Sequence, residues 1–304
     1  MKLLILSLAL ITSAAAFAQD GSSATSVDAS SNSSQLKASD IVPSQTKRED
    51  IDDEITNARL RASTGAKSLW SIQSAFNYNG GSVQKPLSKE RPVLSPGTAL
   101  ESDVKLTGSI AIKYRATDHD SFNAGFGLGW LTPGQTGQKG QSEDPYVGYT
   151  RMFKAGKVQN VFDINMTKYT AESAVESKDN FNFYTDYSAL VDLGTTRWQV
   201  GVNAAWSRDF YTENTGGIQD ALALYPFAEY SFTDKVSFRT VYRGLTYFNT
   251  QDAAGTFHHD APTQSAGIGL AMTRDIYLYP NIQWVSEEAR ADKTNVALSA
   301  YINL

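Results

Sequence analysis

The chain of 304 residues has no cysteine, which excludes disulfides, thiolate chemistry and a lipid-modified N-terminal Cys. Its 27 Lys and Arg against 32 Asp and Glu leave a formal charge of −5, so no electrostatic case exists for nucleic acid as a partner. The 15 Tyr and 14 Phe beside only 9 Pro suit a sheet with one face in lipid and one polar face, whose hydrophobicity averages conceal because only alternate residues meet lipid.

Met1 to Ala18 reads as a secretory signal: Lys2 is the positive end, Leu3 to Ile11 the apolar core, and Ala16-Phe17-Ala18 the cleavage pattern, with cleavage before Gln19. Residues 19–66 form a Ser-rich segment, and its first part is too poor in apolar side chains to order itself. Within it, 47–62 carries a short possible helix. Ile51, Ile55, Ala58 and Ala62 fall at helical spacing, with acids early and Arg59 and Arg61 late, as a helix dipole favours. Such a helix is a plug, a periplasmic tether, or a marginal helix in a tail; the weakness of isolated helices this short favours the tail. No apolar run of about 18 residues follows the N-terminus, so no transmembrane helix is expected.

Residues 67–304 alternate with a period of two, the strand signature. Twelve strands are counted, with ten or fourteen as alternatives. The first is about Ser68 to Tyr78, with Trp70, Ile72, Phe76 and Tyr78 in one phase. The second, Asp103 to Ala116, carries Val104, Leu106, Ile110, Ile112 and Tyr114. The third, Phe122 to Leu131, sets Phe122, Ala124, Phe126, Leu128 and Trp130 against Gly125, Gly127 and Gly129. The fourth, Tyr146 to Lys154, leaves its phase open, because Val147, Tyr149 and Phe153 share a face with Arg151. The fifth and sixth are Val158 to Tyr169 and Phe181 to Leu193.

Thr196 to Asn249 carries the pattern most plainly. Trp198, Val200, Val202, Ala204 and Trp206 form an apolar line, with Gln199, Gly201, Asn203, Ser207 and Asp209 in the other phase. Leu222, Leu224, Ala228, Tyr230 and Phe232 follow. A turn at Thr233-Asp234-Lys235 leads to Val236, Phe238, Thr240 and Tyr242, with Arg239 and Arg243 opposite. These runs match the length of a tilted strand crossing a bilayer, and aromatics near both ends suit its two interfaces. The last three strands are Thr263 to Thr273, Ile276 to Ser286 and Asn295 to Leu304.

The connections alternate short and long. Short ones fall near 118, 156, 195, 234 and 275. Longer ones cover about 79–102, 132–145, 170–180, 211–219, 249–262 and 287–294. On this double alternation, and on a final strand with Val296, Leu298, Ala300, Ile302 and Leu304 in one phase, the chain from about Ser68 resembles Gram-negative outer-membrane β-barrel proteins, porin-like in kind. The resemblance implies an all-β, transmembrane antiparallel up-and-down barrel in the outer membrane, both termini periplasmic. It implies membrane lipid and lipopolysaccharide as surroundings, and the barrel-assembly machinery as reader of the last strand. That strand usually ends in Phe, Tyr or Trp; here it ends in Leu304, with Tyr301 in the opposite phase.

The phase opposite the apolar one points into a lumen. Its candidate constriction residues are Lys105, Lys113, Asp163, Asp186, Asn203, Glu229, Arg239 and Arg243, beside Arg115, Asn165, Asp192, Asp209 and Gln283. Counting from the short turns places Asp163, Asp186, Asn203 and Arg243 at similar mid-barrel height. A turn centred on Asp234 sets Glu229 across from Arg239. Acidic and basic patches of this kind border a selective constriction, or close a lumen by salt bridges. Twelve strands lie between filled small barrels and wide porins, so either outcome is compatible.

His258-His259-Asp260 is read as a solvated loop, there being no second cluster at metal-ligand spacing. Asp118-His119-Asp120 is read as a turn. No spacing marks a nucleophile, and no cofactor is implied. The reading is a channel for passive diffusion of small hydrophilic solutes or ions through a narrow polar lumen. Its alternative is a plugged structural or surface-interaction barrel, acting through its extracellular loops or periplasmic tail.

Overall fold

In a computed structural model, the described residues are 54–64, 68–92, 102–131 and 140–304. The expected signal 1–18, the Ser-rich stretch 19–46 and residues 47–53 lie outside them. The alternating runs form twelve antiparallel strands closed into a barrel. They are β1 Trp70–Ser82, β2 Lys105–Arg115, β3 Asp120–Leu131 and β4 Gly140–Ala155. Then come β5 Val158–Lys168, β6 Asp179–Asp192, β7 Trp198–Tyr211 and β8 Ile218–Ser231. β9 runs in two pieces, Val236–Arg243 and Leu245–Thr250, and β10 Thr263–Ala271, β11 Ile276–Val285 and β12 Asn295–Asn303 complete the set. Each strand pairs with its sequence neighbours. β1 closes the ring on β12, with Gln73 opposite Asn303 and Tyr78 opposite Leu298. Closure pairs every main strand on both sides, which removes the exposed edge that would otherwise invite aggregation.

Two irregularities have local causes. β4 begins at Gly140 rather than Tyr146, because a bulge lets it continue: Gly125 faces Tyr146 but Gly127 faces Glu143, and Asp144 sits at φ 52. In β9, Phe227 of β8 faces Val241 while Leu224 faces Leu245, so β9 carries an extra residue around Gly244. Pro226, which has no N–H to give, lies at that break in the ladder.

The outer face is apolar. Trp70, Ile72, Ile112, Phe122, Leu222 and Leu224 are exposed upon it. Rings cluster near the short turns, with Trp70 against Tyr114 at 4.8 Å and Trp198 against Tyr230 at 5.0 Å. Phe183 meets Trp206 at 5.7 Å toward the other end. The open phase of β4 is settled outward. Arg151 lies on this face close to a short turn, where its guanidinium donates to Asp120 at 2.7 Å and Tyr149 donates to the same carboxylate at 2.6 Å. A charge so near the rim, paired and half-exposed, fits an otherwise apolar face.

A short helix, α1 Ala58–Thr64, precedes β1, and a second, α2 Glu172–Glu176, lies between β5 and β6. Within the described part of the expected helix over 47–62, Glu54 is helical and the helix is interrupted before α1. Ile55, Thr56 and Asn57 are not helical, and the helix begins only after Asn57, whose Oδ1 caps it by accepting from Leu60 N at 3.0 Å. Among the described residues no helix is long and apolar enough to cross a membrane, which says nothing of crossing by strands.

Candidate functional site: the lumen and its occupant

A two-residue period sends every second side chain inward. All eight candidate lumen residues lie in that phase, but they divide by depth. Lys113, Asp186, Glu229 and Arg239 are buried, whereas Lys105, Asp163, Asn203 and Arg243 keep partial exposure. Glu229 and Arg239 are register partners on β8 and β9, with Arg239 Nη1 3.3 Å from Glu229 Oε2. Arg239 also lies over the Phe227 ring at 4.0 Å. Asp163 and Asp186 are likewise register partners, on β5 and β6. Two adjacent carboxylates in one lumen repel unless each is met by donors. Thr150 donates to Asp163 and Asn203 to Asp186. Arg243, on β9, donates to Ser265 at 3.1 Å.

The long-loop end is partly drawn in. Arg91, from the connection after β1, reaches Gln283 at 3.4 Å. Burial, with neighbouring Arg243, lowers the Arg91 pKa to about 10. Asp144, at the β4 bulge, accepts from the backbone N–H of Thr170 at 2.7 Å and of Ala171 at 3.1 Å, fixing the connection that carries α2. His258 and His259 extend the sheet beside β9, where His259 Nε2 meets the Gly244 carbonyl at 2.7 Å.

The short-turn end holds the feature that counting phases did not identify. Met152, Val161, Leu190, Phe227 and Val241 are apolar yet point inward, and Ile55 and Leu60 of the N-terminal segment pack onto them as one buried cluster. The other side of the segment meets the other side of the barrel: Ala58 and Ala62 pack with Ala75, Tyr277, Tyr279 and Tyr301. Arg59 lies over the Tyr301 ring at 5.7 Å. Residues 54–64 thus cross the lumen from the β4–β6 wall to the β11–β12 wall. The expectation of a marginal helix in a tail is replaced by a helix seated inside the barrel.

Polar contacts fix the register of this seat. Gln159 Oε1 accepts from Thr56 N at 2.9 Å and Asn57 N at 3.1 Å, and Gln159 Nε2 donates to Thr56 Oγ1 at 2.9 Å. Asn57 Nδ2 donates to Gln199 at 2.6 Å and to Glu229 at 3.3 Å. Glu54 accepts from Lys154 N at 3.1 Å and lies 3.8 Å from His119, while Asn303 donates to the Ala62 carbonyl. Burying two aliphatic side chains supplies roughly 3–6 kcal/mol toward holding the segment.

No protein-family profile matches the chain, and no curated protein sequence matches it. Among solved structures it is similar to an outer-membrane channel from Pseudomonas putida F1, at 12% identity and a TM-score of 0.49, over 78% of this chain and 95% of that one. It is also similar to the NanC porin, at 9% identity and a TM-score of 0.43, over 76% and 97%. A KdgM porin in complex with disordered oligogalacturonate is similar at 7% identity and a TM-score of 0.42, over 76% and 98%. The barrel architecture rests on the closed strand order described above rather than on these likenesses.

Proposed function

We propose that the protein spans the outer membrane and is a channel for passive diffusion of small hydrophilic solutes or ions. The supporting observation is the division of the wall: an apolar, aromatic-rimmed outer face, and an inner face on which Asp163, Asn203, Arg243 and Lys105 stay partly exposed. A water-filled path past charged side chains selects by charge. The test is single-channel conductance in planar bilayers, for the full chain and for a chain shortened to begin at Lys67. Steady conductance with ion preference altered by Arg243→Glu supports the channel. Silence of both chains defeats it.

The seated N-terminal segment favours a second reading, a barrel plugged at its short-turn end that works through its outer loops. Conductance in the shortened chain alone would make the segment a removable closure of a channel.

A further inference from the structure

We propose that the short-turn half of the lumen is a peptide-recognition site that reads the sequence Glu54-Ile55-Thr56-Asn57 and, one helical turn on, Leu60. Its ligand is the chain's own segment, held so that it can be released. The claim that release opens the lumen rests on the channel reading; the recognition itself does not.

Five inward apolar side chains are a liability in a water-filled lumen, and they are satisfied only by an apolar ligand. Ile55 and Leu60 meet that need. Apolar contact alone leaves register free, because it is non-directional. Gln159 removes the freedom. Its amide oxygen accepts from two successive backbone N–H groups while its amide nitrogen binds the Thr56 hydroxyl. That pattern requires a non-helical backbone whose two successive N–H groups converge on one acceptor, with a hydroxyl residue before the helix. Asn57 then does two tasks at once: its oxygen caps α1, and its nitrogen satisfies Gln199 and Glu229. Asp in its place would carry a second charge toward Glu229, and Ala would lose both cap and contacts. A sequence requirement of this kind distinguishes a recognition site from a space merely filled.

The experiment uses the full chain carrying Ile55→Asp, which sets a carboxylate against the apolar cluster and empties the seat. A synthetic peptide of residues 54–64 is then added from the short-turn side. The expected result is steady conductance in Ile55→Asp, closed by the wild-type peptide at concentrations at least tenfold below those needed with an Asn57→Ala peptide. A scrambled peptide as effective as the wild type overturns the inference and leaves the channel standing. If every form is silent the channel reading fails. The site is then judged by fluorescence anisotropy of the labelled peptide on Ile55→Asp: saturable binding weakened at least tenfold by Gln159→Leu supports it, and sequence-independent binding overturns it. Should Ile55→Asp not fold, the chain's lack of Cys allows a clean lock. Ala62→Cys with Asn303→Cys is made in an Asn57→Ala chain, and conductance or protease cleavage of the segment is compared oxidised and reduced. Protection on oxidation and release on reduction support the inference; equal behaviour in both states overturns it.

Discussion

In the short-turn half of the lumen, Met152, Val161, Leu190, Phe227 and Val241 turn apolar side chains inward and the chain covers them with Ile55 and Leu60. Farther toward the long loops, Asp163, Asn203 and Arg243 hold the same inward phase and remain partly exposed. One barrel wall thus obeys two rules. Where a ligand from the chain itself is seated, the inner face resembles a protein core, with apolar contact and paired charge. Where none is seated, the inner face is polar, with buried Lys113 and Asp186 beside the partly exposed groups. The strand period decides which way a side chain points, but what meets it there decides whether it must be apolar.

The largest effect that sharpens this difference lies at Glu229. It accepts from Ser237 at 2.6 Å and from Arg239 and Asn57 at 3.3 Å, all in the core-like half. Glu229→Leu leaves the Arg239 charge buried without its partner and should cost roughly 3–5 kcal/mol in urea unfolding from lipid vesicles; adding Arg239→Met should recover most of it. A loss below about 1 kcal/mol would show that water reaches this pair, and the core-like description would fail.

Next in size is the contrast between faces. Leu224→Arg puts a charge on the outer face and should cost roughly 2–4 kcal/mol if that position lies near the bilayer midplane, whereas Asn203→Arg, in the partly exposed half of the lumen, should be tolerated. Equal losses in the same unfolding assay would refute the inside–outside assignment. A gentler change tests the seat. Ile55→Val removes one methylene and should cost about 0.5–1.5 kcal/mol. If that loss falls on the seated form alone, protease cleavage of the segment should rise about two- to twelvefold. No change would mean that the cluster does not hold the segment.

The smallest effect is expected outside the barrel wall. Hydrogen bonds from Arg290, at 2.8 Å in the closer case, hold the Asp292 carboxylate below its ordinary range. A lowered carboxylate pKa adds stability above the unfolded value, and that stability is lost as pH falls through the folded one. The pair is exposed, so screening leaves little of it. Unfolding midpoints of Asp292→Asn and the parent should coincide at neutral pH in physiological salt; a resolvable difference would mean that this loop is ordered more tightly than its exposure implies.

The strands and their phases were legible because each rests on a local rule. Trp198 to Trp206 show their outer face in nine consecutive residues, and Asp234 in its turn already set Glu229 opposite Arg239, as the register has it. The bulge at Asp144 was not legible, since one added residue merely looks like a break in alternation. The seat was half legible. Ile55, Ala58 and Ala62 announced an apolar side to the segment, and Met152, Val161, Leu190, Phe227 and Val241 stood in the wrong phase for a polar lumen. Matching the two needs contacts that join Thr56 to Gln159, 103 residues on, and Asn57 to Glu229, 172 residues on. No local period encodes such distances.

By itself, then, the sequence determined an all-β chain and the apolar side of every strand but β4, because pleating assigns faces one residue at a time. Tertiary structure alone decided that the short-turn end is occupied. Only closure of the ring brings β4, β5, β6, β8 and β9 around one space, and only there do their inward apolar groups find Ile55 and Leu60 to exclude water.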